Sequence, residues 1–78
     1  MNALSLDKIP IGQRVCVDAI QGDDAIVSRL FEMGLLEGEI VEVIGIAPLG
    51  DPIQIRLRDY RLCLRKQEAS RVLVSLVA

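Results

Sequence analysis

Apolar and polar residues alternate along several short stretches of this chain, which is typical of β-strands with one buried face. The clearest stretch is 53–57, where aliphatic residues alternate with Gln54 and Arg56. Similar patterns occur at 14–20, 39–47, 60–65 and 72–76. The sequence therefore predicts five short strands. In the first four of these, counted along the chain, the residues expected to face inward are Val15, Val17, Ala19, Val41, Val43, Ile53, Ile55, Leu57, Tyr60, Leu62 and Leu64.

The segment between the first two predicted strands has the period of a helix. The sequence GDD at 22–24 offers an N-cap whose acids complement the helix dipole. Gly34 stands where a left-handed C-terminal cap belongs. The apolar arc spans roughly 160°, wider than one sheet face normally needs, so part of it is expected to stay uncovered. A further helical turn is expected at 66–70. The arc consists of Ile26, Leu30 and Met33, with Val27 and Phe31 at its flank.

The choice of aliphatic residues favours strands over helices. Seventeen of the 28 aliphatic residues are the β-branched Ile and Val, which fit a pleated surface. Closing a sheet of five short strands removes the unpaired edges through which sheets aggregate. We therefore expect a mainly β fold with one short helix, in which about five strands bend into a small barrel. A chain of 78 residues has room for one domain, 1–78.

Charge is distributed unevenly, although the formal net charge is only −2. Acidic residues predominate at 18–42, and basic residues predominate at 56–71. The near balance argues against attraction of a phosphate backbone by net charge alone. Nucleic-acid binding stays open as an alternative, but it is weakened because Tyr60, the aromatic residue of the basic hairpin, is expected to face inward. The arginines concerned are Arg56, Arg58, Arg61 and Arg65.

Catalysis has little support in this sequence. The chain contains no histidine and no GxxxxGK or GxSxG motif, so the common nucleophile and base arrangements cannot be assembled. We therefore expect no enzyme activity, no cofactor and no metal site. Weak divalent-metal binding is the remaining alternative, because carboxylates are hard oxygen ligands but here follow no recognised spacing. The carboxylates concerned are Glu32, Glu37, Glu39 and Glu42.

Cysteine content and targeting signals bear on the compartment. Cys16 and Cys63 form no close pair in the sequence, so reduced thiols are expected rather than a zinc knuckle or a disulfide framework. No apolar run approaches the roughly 18 residues of a membrane span, and no signal peptide is evident at the amino terminus. We therefore expect a soluble cytoplasmic protein.

Large apolar residues also occur where loops are expected. Leu35 and Leu36 directly follow the predicted helix, and Leu49 lies in the sharp connection at 48–52. Burial is harder to arrange in such segments. Together with Met33, these leucines are interpreted either as ordinary packing or as an exposed docking patch.

Three blocks of sequence resemble the ferrous iron transport protein A (FeoA) family. They are RLFEMGL at 29–35 followed by Gly38, APLGDPI at 47–53, and YRLCLRK at 60–66 followed by Glu68 and Ala69. Their order and spacing are those of the family, and the resemblance covers nearly the whole chain. It implies an SH3-like barrel with a helix inserted after the first strand. Before Tyr60 the family commonly has glycine, and we expect Asp59 to supply the left-handed conformation there.

The resemblance implies a non-enzymatic accessory protein of bacterial ferrous iron uptake that docks on the cytosolic part of the permease FeoB and modulates it. Self-association stays open. A similar domain is appended to some iron- or manganese-dependent repressors, so a repressor-associated module is an alternative, but no sensing domain is expected to precede this one. The expected partner-binding residues are Arg29, Leu30, Met33, Gly34, Leu35, Leu36, Gly38, Pro48, Leu49, Gly50, Asp51 and Pro52.

Within that set the expected roles differ. Leu35, Leu36 and Leu49 are expected to be apolar anchors, which are the residues that usually dominate binding. Arg29 is expected to make a charge contact. The glycines at 34, 38 and 50 are expected to shape the backbone.

Overall fold

A computed structural model describes residues 4–77 of the chain. The strands are β1 (Leu4–Ser5), β2 (Arg14–Ile20), β3 (Ile40–Ile46), β4 (Ile53–Leu57), β5 (Tyr60–Leu64) and β6 (Val72–Leu76). The helices are α1 (Ala25–Glu32) and α2 (Lys66–Ala69), and a 3-10 turn covers Leu6–Lys8. All neighbouring strands are antiparallel, in the order β1-β6-β2-β3-β4-β5.

One core fills the inside of the curved sheet. Alternate residues of the strands point into it, as the period-2 patterns predicted, and they are Val15, Val17, Val41, Val43, Ile53, Ile55, Leu57, Leu64, Val72 and Val74. Leu30 of α1 and Leu6 of the 3-10 turn also belong to this core. The mainly β, SH3-like fold expected from the sequence is confirmed. The sixth strand, β1, was not predicted, because two residues are too few to show an alternation.

The sheet is not closed by hydrogen bonds between its two ends. β1 and β5 are the outermost strands, and no ladder joins them within residues 4–77. Instead, α2 contacts both β5 and the 3-10 turn, and the turn in turn contacts β6. The buried side chains of Leu6 and Ala69 belong to these two short elements. The 3-10 turn and α2 therefore seal part of the opening between β1 and β5.

Two irregularities change the alternation that the sequence predicted. The register of β2 against β6 shifts between Val17 and Ala19, and Ile20, expected to face outward, packs against the core. The register of β3 against β4 shifts between Val43 and Gly45. A bulge inserts one residue into a strand and reverses the facing of the residues beyond it. Hydrophobic period alone does not reveal such an insertion.

Both predicted ends of α1 are confirmed. The Asp24 carboxylate accepts the N–H of Val27 at 3.4 Å, and Gly34 has a φ of +96°. The N–H of Gly34 donates to the carbonyl of Phe31 at 2.9 Å, and the N–H of Leu35 donates to the carbonyl of Leu30 at 3.1 Å. These two bonds define a Schellman cap. Between residues 4 and 77 no helix has the length and apolarity needed to cross a membrane.

The turn between β4 and β5 differs from the expectation in one respect. It consists of Arg58 and Asp59, flanked by the paired residues Leu57 and Tyr60. The positive φ, 56°, belongs to Arg58, so the expectation that Asp59 takes the left-handed conformation is wrong. The reason is geometric, because the favoured two-residue hairpin turns require positive φ at their first residue.

Candidate docking surfaces

The leucines around the end of α1 are divided between the core and the surface. Leu30 and Leu35 are fully buried, because a Schellman cap brings these two positions together in an apolar contact. The expectation that Leu35 lies uncovered is therefore wrong, and neither of the two side chains is free to meet a partner. Leu36, the next residue along the chain, is 48% exposed.

Two aromatic residues are exposed at the same end of α1. Phe31 is 46% exposed and Tyr60 is 45% exposed. The Tyr60 hydroxyl donates to the carbonyl oxygen of Met33 at 3.3 Å. The expectation that Tyr60 faces inward is wrong, because this first residue of β5 lies at the rim of the barrel, beside the end of α1. We call Phe31, Leu36 and Tyr60 the helix-end surface.

Gly34 allows Tyr60 to lie close to the helix. A Cβ atom at Gly34 would stand 2.8 Å from the Tyr60 hydroxyl oxygen and 3.4 Å from Cδ2 of Leu57. Glycine is thus suited to this position both by its positive φ and by its small volume. Gly34 therefore shapes the backbone, as expected. It also leaves room for Tyr60, which is not among the predicted partner-binding residues.

The predicted loop residues form a second surface. Residues 47–52 connect β3 to β4, and Leu49 at their centre is 96% exposed. The Asp51 carboxylate accepts the backbone N–H of Lys66 at 2.9 Å, which ties the loop to the start of α2. Asp51 therefore helps to hold the loop in place. We call the segment 48–52 the loop surface.

The helix-end surface and the loop surface lie at opposite ends of β3. The N–H of Glu39 donates to the carbonyl of Leu36 at 3.1 Å just before β3 begins, and residue 47 follows its last residue. The six steps from Ile40 to Ile46 span about 20 Å at the usual rise per residue. Leu36 and Leu49 therefore do not form the single cluster that their sequence pattern suggested.

Arg29 lies away from the helix-end surface and is already paired. Its Nη1 atom is 3.2 Å from Oε2 of Glu68, although the Arg29 side chain remains 62% exposed. Glu68 is buried, and its other oxygen accepts the backbone N–H of Arg65 at 2.8 Å. The Arg29 guanidinium, which was expected to contact a partner, is thus already paired with a carboxylate of the same chain. A shallow depression of about 350 Å³ nearby is lined by Arg29, Asp51, Pro52, Cys63, Arg65 and Glu68.

Acidic and basic stretches of the chain pair with each other in the folded protein. Arg71 donates two hydrogen bonds of 3.0 Å to the Asp24 carboxylate. Arg58 donates two to Glu39, at 2.6 and 3.1 Å. These hydrogen bonds are the main reason that the pKa values of Asp24 and Glu39 lie below their ordinary values. Much of the charge asymmetry in the sequence is therefore compensated locally.

This pairing affects the two alternative functions, nucleic-acid binding and divalent-metal binding. Arg58 is paired with Glu39, and Arg56 lies 3.6 Å from Glu42, so two of the four hairpin arginines already have counter-ions. The same two glutamates belong to the carboxylates considered for metal binding. Within residues 4–77 no group of three or more His, Cys, Asp and Glu side chains is placed to hold a metal ion.

The fold places the protein in a class of small SH3-like barrels that expose apolar side chains beside an inserted helix. Residues 4–76 match the FeoA domain, and the chain belongs to this family.

Solved structures and curated proteins are similar to the chain. An FeoA-like protein from Clostridium acetobutylicum is 35% identical, with a TM-score of 0.92 over 100% of this chain and 91% of that one. FeoA from Stenotrophomonas maltophilia, crystallised with zinc and described as a prokaryotic SH3 domain protein, is 34% identical, with a TM-score of 0.83 over 94% of this chain and 91% of that one. A Porphyromonas gingivalis fusion of Fe(2+) transport protein A with the Fe(2+) transporter FeoB is 29% identical over 75 residues. The match covers 96% of this chain and 9% of the fusion protein.

A manganese-dependent transcriptional repressor has the same fold. It is 15% identical, with a TM-score of 0.89 over 99% of this chain and 38% of that one. At this identity the similarity extends to the fold alone.

Proposed function

We propose that this chain is a non-enzymatic accessory protein of bacterial ferrous iron uptake that docks on the cytosolic part of the FeoB permease and modulates it. The observation that carries the proposal is the helix-end surface, where Phe31, Leu36 and Tyr60 are each about half exposed. The fusion of an FeoA domain with FeoB in the Porphyromonas gingivalis relative supports this partner, because it keeps the two parts in one polypeptide.

The helix-end surface is suited to binding because its backbone is already ordered. The Schellman cap fixes the chain around Gly34, and the hydrogen bond from Tyr60 to Met33 holds the aromatic ring against the helix end. Ordering costs reduce affinity when a partner binds, so side chains held in place beforehand lose less. A few side chains supply most of the binding energy at protein interfaces, and tyrosine is enriched among them.

The first test is a charge introduced at the centre of the proposed contact. We expect Leu36→Asp to weaken binding to the purified cytosolic region of FeoB by on the order of 30-fold, the loss typical of an apolar anchor. Ile11→Asp is the matched control, because Ile11 is also exposed but lies in the turn before β2. Titration calorimetry gives the affinities, and thermal unfolding shows that each variant is folded.

A further variant separates the two candidate surfaces. We expect Leu49→Asp, at the opposite end of β3, to bind FeoB as the wild type does. A folded Leu36→Asp protein with wild-type affinity would contradict docking through the helix-end surface. Loss of binding in Leu49→Asp alone would transfer the docking site to the loop surface.

A further inference from the structure

Strand β5 has one edge without a neighbouring strand among residues 4–77. It pairs with β4 on one side and is outermost in the sheet. The two-residue turn makes Leu57 and Tyr60 a hydrogen-bonded pair, and such pairs alternate along an antiparallel ladder. The N–H and C=O groups of Arg61 and Cys63 therefore point away from β4. No hydrogen bond to these four groups occurs within residues 4–77.

The surroundings of this edge leave space, and the exposed charged side chains of the edge strand itself are basic. The depression of about 350 Å³ lies beside Cys63, and its lining contains two arginines, Arg29 and Arg65, and two carboxylates, Asp51 and Glu68. Arg61, Cys63 and Arg65 alternate on the outer face and are exposed. Arg61 and Arg65 form no ion pair with any residue between 4 and 77. An incoming chain would thus meet free backbone groups between two unneutralised arginines.

We propose that the β5 edge binds an extended acidic segment of a partner protein as an added strand. Backbone hydrogen bonds to Arg61 and Cys63 would supply affinity, and cross-strand side chains would set the register. Acidic residues at positions i and i+4 of the segment lie opposite Arg61 and Arg65. Residues i+1 and i+3 lie on the face of Leu62 and Leu64 and are apolar, and residue i+2 lies beside Cys63.

A second copy of this chain fits the edge poorly. Two β5 strands paired antiparallel about Cys63 would place Arg61 of one copy opposite Arg65 of the other. Like charges directly opposite each other destabilise a strand pair, and charged residues on edges are a common means of preventing self-association. The same arginines favour an acidic occupant, so charge complementarity selects the partner.

This inference goes beyond docking through the helix-end surface and is independent of it. The only residue common to the helix-end surface and to β5 is Tyr60, which is the first residue of that strand. The Leu36→Asp variant therefore leaves the β5 edge intact, and the variants described next leave Leu36 and Phe31 intact. Failure of one proposal is distinguishable from failure of the other.

The experiment uses a capped peptide of sequence Glu-Val-Thr-Val-Glu and the full chain labelled with ¹⁵N. We expect the peptide to slow hydrogen exchange of the Arg61 and Cys63 amides, which have no hydrogen-bond partner in the described part of the chain. A Lys-Val-Thr-Val-Lys peptide is the control, and we expect it to bind on the order of tenfold more weakly, because it places like charges opposite the arginines. Saturation with the Glu peptide without protection of these amides would overturn the proposal.

Two variants test the charge and backbone contributions separately. Arg61→Glu combined with Arg65→Glu is expected to reverse the preference between the two peptides. Cys63→Pro removes one outward donor from an edge position, where proline is tolerated, and is expected to abolish protection, whereas Cys63→Ala retains it. If Cys63→Pro does not fold, the charge reversal decides the matter. Unchanged peptide preference in the charge-reversed protein, or dimerisation of the wild type through β5, would overturn the proposal.

Discussion

Single residues at the end of α1 decide which side chains a partner can reach. Leu30 and Leu35 are buried, whereas Phe31 and Leu36, their neighbours in sequence, are about half exposed. Leu30 was expected to be a partner-binding residue, but its place on the apolar stripe of α1 puts it in the core. The helical period does not extend past the last turn, so it says nothing about Leu35. The signal for Leu35 was nevertheless present, because a glycine cap at Gly34 makes Leu35 the residue that packs back on Leu30.

Substitution of Gly34 is expected to destabilise the protein. We expect Gly34→Ala to lower the free energy of unfolding by about 2 to 3 kcal/mol, because it combines an unfavourable positive φ with a close approach to Tyr60. Gly12→Ala is the control. Gly12 also has positive φ but open space around its Cβ position, so about 1 kcal/mol is expected. Urea denaturation measures both values.

The contribution of Tyr60 can be isolated in the same background. Tyr60→Phe removes the atom that lies 2.8 Å from a Gly34 Cβ and should recover part of the loss in the Gly34→Ala protein. Equal losses for Gly34→Ala and Gly12→Ala would contradict the close-packing explanation.

Elements with a long, regular pattern were predictable from the sequence, and short or irregular ones were not. All five predicted strands, which became β2 to β6, lie within one residue of their predicted bounds at each end, because apolar residues recur at every second position through most of each stretch. The bulge in β2 and the two-residue strand β1 leave no such pattern. Tyr60 has the parity of an inward residue, but its place at the end of a strand puts it at the rim, where helix packing decides its environment.

The N-terminus of α1 gives a prediction about pH. Hydrogen bonds from Arg71 lower the pKa of Asp24 in the folded protein. Asp24 therefore contributes stability above its unfolded pKa of about 3.9, and this contribution is lost as the pH falls through the lower folded pKa. We expect Asp24→Asn, which still caps the helix, to reduce the loss of thermal stability on acidification.

A substitution of Arg71, the partner of Asp24, provides an independent check. Arg71→Gln keeps the Asp24 carboxylate and removes its cation, so it should reduce the acid-dependent loss of the thermal midpoint in the same direction. The midpoints would be compared between about pH 2 and about pH 6, the range that spans carboxylate titration. Wild-type pH dependence in both variants would contradict the assigned role of this ion pair.

The barrel contains two short elements, the 3-10 turn and α2, that contact each other although they are far apart in the sequence. Within residues 4–77 the curved sheet stays open between β1 and β5, and the 3-10 turn and α2 fill part of the gap. The barrel and its inserted helix were predictable from composition and pattern. The opening and its seal were not, because they arise from contacts between residues more than fifty positions apart, about which local pattern carries no information.

The 3-10 turn is expected to contribute to the stability of the whole fold through Leu6. Leu6 is completely buried, whereas its neighbour Leu4 is partly exposed. We expect Leu6→Ala to lower the free energy of unfolding by about 2 to 5 kcal/mol, the range for deleting a large buried side chain. Leu4→Ala, the matched control, should cost less than about 1 kcal/mol. Similar small losses for both variants in urea denaturation would show that the turn is not part of the core.

The aromatic content of the chain has a practical consequence for the helix-end surface. The chain has no tryptophan and a single tyrosine, Tyr60, and that tyrosine hydrogen-bonds to the end of α1. Intrinsic ultraviolet fluorescence of the protein therefore originates at one known place, against the backbone of Met33 at the end of α1. A tyrosine-free ligand that covers this place would alter the quantum yield or quenching of the emission without any attached dye.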